Sequence, residues 1–357
     1  MFSFFDRIKT KTRDMEVEIC DPIPRESWDS DILPIPGSGF FHTRAWATVL
    51  SESYGFHPLY IRLHRGSRLI GVLPLMDIRR LPTPRRGISL PFTDHCNPLF
   101  SNADFPALFS AAARLGQDKN WKYLEFRTTC SDFDGHRPYE TFYGHVLNLT
   151  EGESRLFSGL SGATRRNIRK AEREGVEVAV GNTWLSMAAY YRLHCLTRKR
   201  QGVPPQPLKF FKKIQEHVIS KQHGVVILAS RQGKTIAGGV FFHFHDEALY
   251  KFGASDPVHQ ELRASNRVMW EAIRHYAGNG FRNLCFGRTE IGNEGLRRFK
   301  LGWGPTERTI RYHRYSIPEK AFLAGGTARS PRWSGFFRKL PVPVLRLIGT
   351  AAYGYMG

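Results

Sequence analysis

Apolar and polar positions alternate along residues 58–76 (PLYIRLHRGSRLIGVLPLM), a two-residue period that turns at Gly66 and predicts a β-hairpin. The same arrangement returns at 224–243 (GVVILASRQGKTIAGGVFFH), with its turn at Gly233. In each, the second strand is expected to open on a glycine, Gly71 or Gly238, at the same offset from the turn. The period then changes. Residues 107–127 (ALFSAAARLGQDKNWKYLEFR) and 268–288 (VMWEAIRHYAGNGFRNLCFGR) both pass from an apolar stripe at helical spacing, through a break containing asparagine, into a short apolar strand. A hairpin–helix–strand unit present twice predicts two similar α/β domains with a cleft between them, and domain interfaces are frequent ligand sites.

The remaining pattern sets expected boundaries. Residues 37–57 predict a helix with Thr43 as N-cap and Trp46, Val49 and Leu50 on one face. A Pro/Arg loop and the segment SLPFTDHCNPLF follow, and the first domain spans 15–150. The second, 151–317, holds a basic helix at 164–175, a helix around 187–200, the second hairpin, a strand at 248–254, a helix at 266–277, and strands at 283–286 and near 308–315. Residues 1–14 form a basic, Phe-bearing leader without a signal-peptide pattern. Residues 318–357 form a basic and apolar tail whose prolines argue against a continuous helix. No apolar run approaches the roughly 18–20 residues of a membrane-spanning helix.

Charge narrows the partners. Lysine and arginine number 52 against 32 acidic residues, a net charge of +20 that draws the chain toward polyanions: RNA, DNA, nucleotide-linked sugars or an acidic membrane face. Five scattered cysteines (Cys20, Cys96, Cys130, Cys195, Cys285) without C-x-x-C spacing argue against a disulfide framework or a zinc site and fit a reducing cytoplasm.

Three segments carry candidate chemistry. On a helix through TRRNIRKAEREG, the side chains of Arg165, Arg166, Arg169, Lys170 and Arg173 fall within an arc of roughly 140°, with Ile168 and Ala171 opposite. Glu172 and Glu174 lie outside it. Such a stripe suits phosphate, which guanidinium groups grip bidentately; a solvated surface helix is the alternative. In the run from Tyr250 to Trp270, which includes Lys251, either Ser265 or Asn266 can cap a helix whose backbone N–H groups would meet an anion. The turn there, QELRASNR, lacks the glycines that let a backbone close on a coenzyme A pyrophosphate. In GLRRFKLGWG, the cations Arg297, Arg298 and Lys300 surround Phe299 beside Trp303, an arrangement for stacking an unpaired base or for stabilising an oxyanion. His243 and His245 on one strand face form a pair without a third metal ligand. Asp94, His95 and Cys96 are sequence neighbours rather than a triad. Asp256, Glu290 and Glu294 are expected in loops, where they can handle protons.

Taken in order, the tandem unit, the TRRNIRKAEREG helix, the strand YKFGAS, the helix start SNRVMWEAI and the terminal RRFKLGWG resemble the FemABX-like aminoacyltransferases, and also the FemAB-like and BioF2-like acyltransferases associated with exopolysaccharide genes. The resemblance covers roughly residues 38–317. It implies two tandem GNAT-like α/β domains with a cleft between them, and no bound cofactor or metal. It further implies acyl transfer from aminoacyl-tRNA or acyl-CoA to an amine or hydroxyl of an anionic, nucleotide- or lipid-linked cell-envelope precursor. Arg166, Arg169 and Tyr250 match the positions that hold acceptor phosphates, and Phe299 and Lys300 match the Phe-Lys pair that serves the aminoacyl end of the donor. Arg165, Lys170, Lys251, Ser265, Asn266 and Arg297 complete the expected binding set. The chain lacks the long coiled-coil insertion of the peptidoglycan enzymes. The tail, with the leader, is expected to contact the inner face of a membrane. A coenzyme A-dependent N-acetyltransferase and a non-catalytic RNA-binding protein are the alternative readings.

Overall fold

In the computed structural model, residues 15–100, 104–133, 135–325 and 333–356 are described. The expected leader at 1–14 lies outside them. The described chain forms two compact units: one contains 15–142, 309–325 and 354–356, the other 143–308 and 333–353.

In the first unit β1 (Met15–Cys20) is followed by the short helix α1 (Trp28–Ile32) and by α2 (Arg44–Tyr54). Thr43 caps α2, its Oγ1 accepting from the Trp46 amide at 3.3 Å, and Trp46, Val49 and Leu50 are fully buried. Strands β2 (His57–Pro58), β3 (Tyr60–Arg65), β4 (Arg68–Leu73) and β5 (Met76–Ile78) make the first hairpin. Its second arm opens at Arg68, directly after the turn, rather than at Gly71. Gly71 instead faces Leu63 beside a bulge. Pro74 separates β4 from β5: a residue without an N–H cannot donate to a neighbouring strand. As a result β4 stays with β3 and β1, while β5 pairs with β2 and with β6 (Arg86–Ser89). Helix α3 (Phe105–Asp118) then leads to β7 (Tyr123–Thr128), which lies parallel to β6. The core beneath α3 gathers Leu63, Leu73, Leu108, Ala112, Leu115, Leu124 and Phe126. Among the buried carboxylates here are Glu125 and Asp77. Glu125 receives Arg127 and Arg314, and Asp77 receives Arg85 and the Trp121 indole N–H at 2.7 Å.

The chain enters the second unit within β8 (Glu140–Asn148). Helices α4 (Glu153–Gly159) and α5 (Gly162–Arg173), strand β9 (Glu177–Gly181) and helices α6 (Trp184–Gln201) and α7 (Leu208–Ile214) precede the second hairpin, β10 (Gly224–Arg231) and β11 (Lys234–Phe244). Here too the arm begins right after the turn, at Lys234 rather than Gly238. Nothing interrupts β11, which pairs along its length with β10 on one side and β12 (Glu247–Ser255) on the other. Helix α8 (Ala264–Gly278) leads to β13 (Asn283–Glu290), parallel to β12. Ile168 and Ala171 of α5 meet Val268, Met269 and Ile273 of α8 over Leu284 and Phe286 of β13. The apolar side of the basic helix therefore faces a core, as its periodicity requires.

Helix α9 (Glu294–Leu301) and strands β14 (Thr306–Ser316) and β15 (Ala321–Leu323) follow. The tail then forms α10 (Ser334–Lys339) and α11 (Val342–Ala352). The tail is divided where the prolines argued against a continuous helix: Pro341 stands at the break as the N-cap of α11, and Pro343 lies in its first turn, where no intrahelical N–H bond is lost. Among the described residues no helix is long and apolar enough to cross a membrane.

Candidate active site

Lys300 reaches its position through a helix and a bulge. Asn293 caps α9, its Oδ1 accepting from the Leu296 amide at 3.1 Å. The helix turns Phe299 toward Trp303, with ring centroids 5.9 Å apart, and Lys300 toward the end of β13. There Lys300, 2% exposed, donates from Nζ to the carbonyl oxygens of Gly287 at 3.1 Å and Arg288 at 2.9 Å. Successive carbonyls of a regular strand point to opposite sides, so two cannot meet one ammonium. The φ of +67° at Gly287, in the left-handed region that glycine adopts without strain, breaks the alternation and lets both do so. Strand β13 thus runs to Glu290 and contains this break, rather than ending at Phe286 as expected.

Three residues that the sequence did not single out join this arrangement. His145 on β8 is fully buried and its Nε2 lies 3.0 Å from Glu307 Oε2. Glu307 also accepts from Arg297 Nε and Nη2, both at 2.8 Å, and the Arg297 guanidinium lies 4.0 Å from the centre of the Tyr143 ring. Burial first, then the nearby Lys300 charge, push His145 below its ordinary value, and Glu307 opposes them. The imidazole is therefore neutral at pH 7. His145 Nδ1, Thr289 Oγ1 and Trp303 Nε1 are buried polar atoms without a hydrogen-bond partner. His145 and its partner Glu307 lie far apart in sequence and no motif links them.

The basic helix starts beside α9: the Ser161 amide donates to the Gly302 carbonyl at 3.0 Å. Of its cations, Arg165 donates to the Ser158 carbonyl at 2.5 Å and Arg169 stacks on Phe157 at 5.7 Å. Arg166 is exposed and Lys170 half-exposed, neither with a carboxylate partner among the described residues. The helix's own acids turn elsewhere, Glu172 to Arg267 at 3.5 Å and Glu174 to Arg231 at 3.7 Å. An anion can approach this stripe without displacing an internal ion pair.

Tyr250 stacks on Phe241 at 5.1 Å, and burial raises its phenol to about 12. It lies across Gly253, where a Cβ would stand 1.6 Å from its hydroxyl, so a side chain there would displace the Tyr250 ring. Lys251 is the extra residue where the β11–β12 register shifts, and its ammonium lies 5.3 Å from the Phe252 ring centre. Ser265 and Asn266 fall inside the first turn of α8 rather than at its cap, which is Arg263 at a φ of +57°. The preceding turn is a 3-10 helix (Pro257–Leu262) that Asp256 caps through the Val258 amide, so Asp256 is a structural acid. Glu290 ends β13 and Glu294 opens α9, neither in a loop. His243 bonds the Gln222 carbonyl at 2.7 Å, while His245 lies beyond the end of β11 against Asp246 at 2.8 Å, so the two do not share a strand face. Cys96 is buried, its thiol pushed far up by burial, and is no nucleophile.

The sequence over residues 161–307, which contains α5 through the start of β14, matches the family described as Acetyltransferase (GNAT) domain. Over 135 residues it is 23% identical to the UDP-N-acetylmuramoylpentapeptide-lysine N(6)-alanyltransferase of Weissella viridescens, a match that spans 37% of this chain and 40% of that protein. The fold is similar to the crystal structure of FemX, with a TM-score of 0.67 at 10% identity over 80% of this chain and 94% of that one. It is also similar to L-PGS from Bacillus licheniformis (TM-score 0.54, 12% identity, 94% and 99%). A tandem GNAT protein from the clavulanic acid biosynthesis pathway gives 0.55 at 10% identity, over 85% and 99%. The chain has a mixed α/β fold like that of FemX and of the tandem GNAT protein, and residues 161–307 of its sequence match a GNAT domain.

Proposed function

We propose that this chain is an acyltransferase that moves an activated acyl group, in the first place an aminoacyl group, to an amine or hydroxyl of an anionic cell-envelope precursor. One observation carries the reading: inside a GNAT-type domain, a lysine is buried with its ammonium fixed on two successive carbonyls of a broken strand. An ammonium held on two carbonyl oxygens is fixed in place, which is what an oxyanion requires of its partner. The acceptor nitrogen or oxygen attacks the donor carbonyl carbon, the ester or thioester bond breaks, and the acceptor's proton ends on the leaving group. Lys300 stabilises the negative oxygen that forms between these events. Phe299 offers a ring beside it, and Arg166, Lys170 and Arg169, with Tyr250, bind the acceptor phosphates.

For the donor, the glycine-free turn ahead of α8 favours an aminoacyl ester over coenzyme A. The match to an acetyltransferase family supports acyl-CoA as the second reading. The activity of the Weissella relative supports a nucleotide-linked peptidoglycan precursor as acceptor. A lipid-linked acceptor would instead place the chain at a membrane face, with the C-terminal segment in contact. The test is acyl transfer from radiolabelled aminoacyl-tRNA and acetyl-CoA to nucleotide-linked precursors. Lys300→Met, which keeps the buried stem, is expected to lower kcat about 100-fold or more. Near-wild-type turnover in that variant overturns the assignment. Arg166→Ala/Lys170→Ala is expected to raise the acceptor KM in a salt-dependent way and leave kcat nearly unchanged.

A further inference from the structure

The last two helices present a surface that the fold does not use. Helix α11 is held on α6 and the turn after it: Leu345 is fully buried, and at Gly349 a Cβ would stand 2.0 Å from the Pro205 carbonyl oxygen. Tyr353 beyond it accepts from Arg198 Nη2 at 2.7 Å and donates to the Pro204 carbonyl at 3.1 Å. Arg346 lies 5.5 Å from the centre of the Tyr191 ring. The segment is therefore docked, and by one side only. Phe336 and Phe337 lie on α10, flanked by Trp333 at its N-cap and by Leu340, already extended, just past its end. Trp333 is 66% exposed, Phe336 54%, and no residue of α10 is buried. On α11, Val344 and Leu347 point outward, Leu347 at 73% exposure.

Charge identifies what covers such a face. From Lys320 to the end of the sequence there are six lysines and arginines and no aspartate or glutamate. Arg338 and Lys339 stand exposed beside the aromatic face of α10, without a carboxylate partner among the described residues. Exposed tryptophan and phenylalanine bordered by unpaired cations match the boundary between acyl chains and anionic headgroups. Helices of 6 and 11 residues can lie in that boundary but cannot cross the bilayer. A protein partner would have to supply an equally one-signed acidic rim. A second copy of this chain would bring cations against cations.

We infer that α10 and α11 dock the protein on an anionic phospholipid surface, with Trp333, Phe336 and Leu347 entering the interface and Arg338 and Lys339 meeting the headgroups. The inference does not rest on the acyl-transfer reading, because none of these residues takes part in that site. Co-sedimentation of the full chain with vesicles of phosphatidylcholine, with and without phosphatidylglycerol, tests it. Wild-type protein is expected to pellet with the anionic vesicles only. Trp333→Ser/Phe336→Ser and Arg338→Glu/Lys339→Glu are each expected to weaken binding about tenfold or more with unchanged thermal unfolding, as substitutions at exposed positions should. Arg166→Ala/Lys170→Ala should pellet like wild type. Failure of the wild-type chain to bind, equal binding by the tail variants, or loss of binding in the α5 variant instead overturns the inference. So does light scattering that shows a dimer which Trp333→Ser/Phe336→Ser dissociates, since that assigns the face to a second copy.

Discussion

The two units begin from the same pattern and end in different chemistry. In both, a hairpin, a helix and a parallel strand follow one another, and both parallel strands bury a Leu-x-Phe pair: Leu124 and Phe126 in β7, Leu284 and Phe286 in β13. After that pair they diverge. In the first unit Arg127 follows directly; it bonds Glu125 at 2.8 Å and the Leu90 carbonyl at 3.0 Å, and lies over Tyr312. Its charge is consumed in holding the fold. In the second unit Gly287 follows, Cys285 stands where Glu125 would, and the carbonyls so exposed receive Lys300. The hairpins diverge as well, since Pro74 divides the second arm of one while β11 runs unbroken through the other. In the first unit a buried carboxylate is closed on two guanidinium groups; in the second a buried ammonium rests on two backbone carbonyls.

The largest expected effect breaks the comparison from the first side. Glu125→Gln leaves Arg127 and Arg314 without their carboxylate and should cost about 3 kcal/mol in urea unfolding, the usual scale for one partner removed from a buried ion pair. The acid dependence sharpens it. Burial alone would raise the Glu125 carboxyl, but Arg127 and Arg314 outweigh burial and hold it below its ordinary value. Its stabilising contribution is therefore complete above the unfolded value of 4.5 and is lost as pH falls through the lower folded one. The Gln variant should show a flatter acid limb, and an unchanged limb would contradict the assignment.

A second substitution acts on the other unit. Gly287→Ala forces a Cβ into left-handed backbone and should destabilise by about 1–2 kcal/mol, while displacing the carbonyls that hold Lys300. Turnover is expected to fall more than the unfolding free energy indicates; a loss confined to stability would reduce Gly287 to a structural role. Smaller again, Pro74→Ala should cost about 0.5–1 kcal/mol through a freer unfolded chain, with activity unchanged. A variant as stable as the wild type would contradict this. Near neutral pH the smallest effect comes from a titration within the second unit, which grows only on acidification. Burial lowers His194 to about 3, so the unfolded chain binds its proton first and stability falls as pH drops from about 6.5 toward 3. His194→Gln, measured by thermal unfolding across that range, should remove part of the slope.

Much of this was legible in the order of residues. Alternation placed both hairpins, the capping threonine before Trp46 placed α2, and helical spacing on Thr164–Ala171 gave the basic stripe its apolar underside. The boundaries moved where alternation ran through charged residues, as at Arg68 and Lys234, because a side chain facing water imposes no apolar period. Ser265 and Asn266 were good capping residues passed over for Arg263, whose left-handed backbone joins the 3-10 turn to α8.

What the sequence determined by itself was local: periodicity, turns, the excess of cations and the Phe-Lys pair, all of which act between residues close along the chain. What only the tertiary structure decided was which charges are used up and which are left. His145 meets Glu307, and Lys300 meets a carbonyl pair across a turn, because strands and helices remote in sequence are packed side by side. Burial and electrostatic pairing depend on distance in space, and no pattern along the chain encodes that distance.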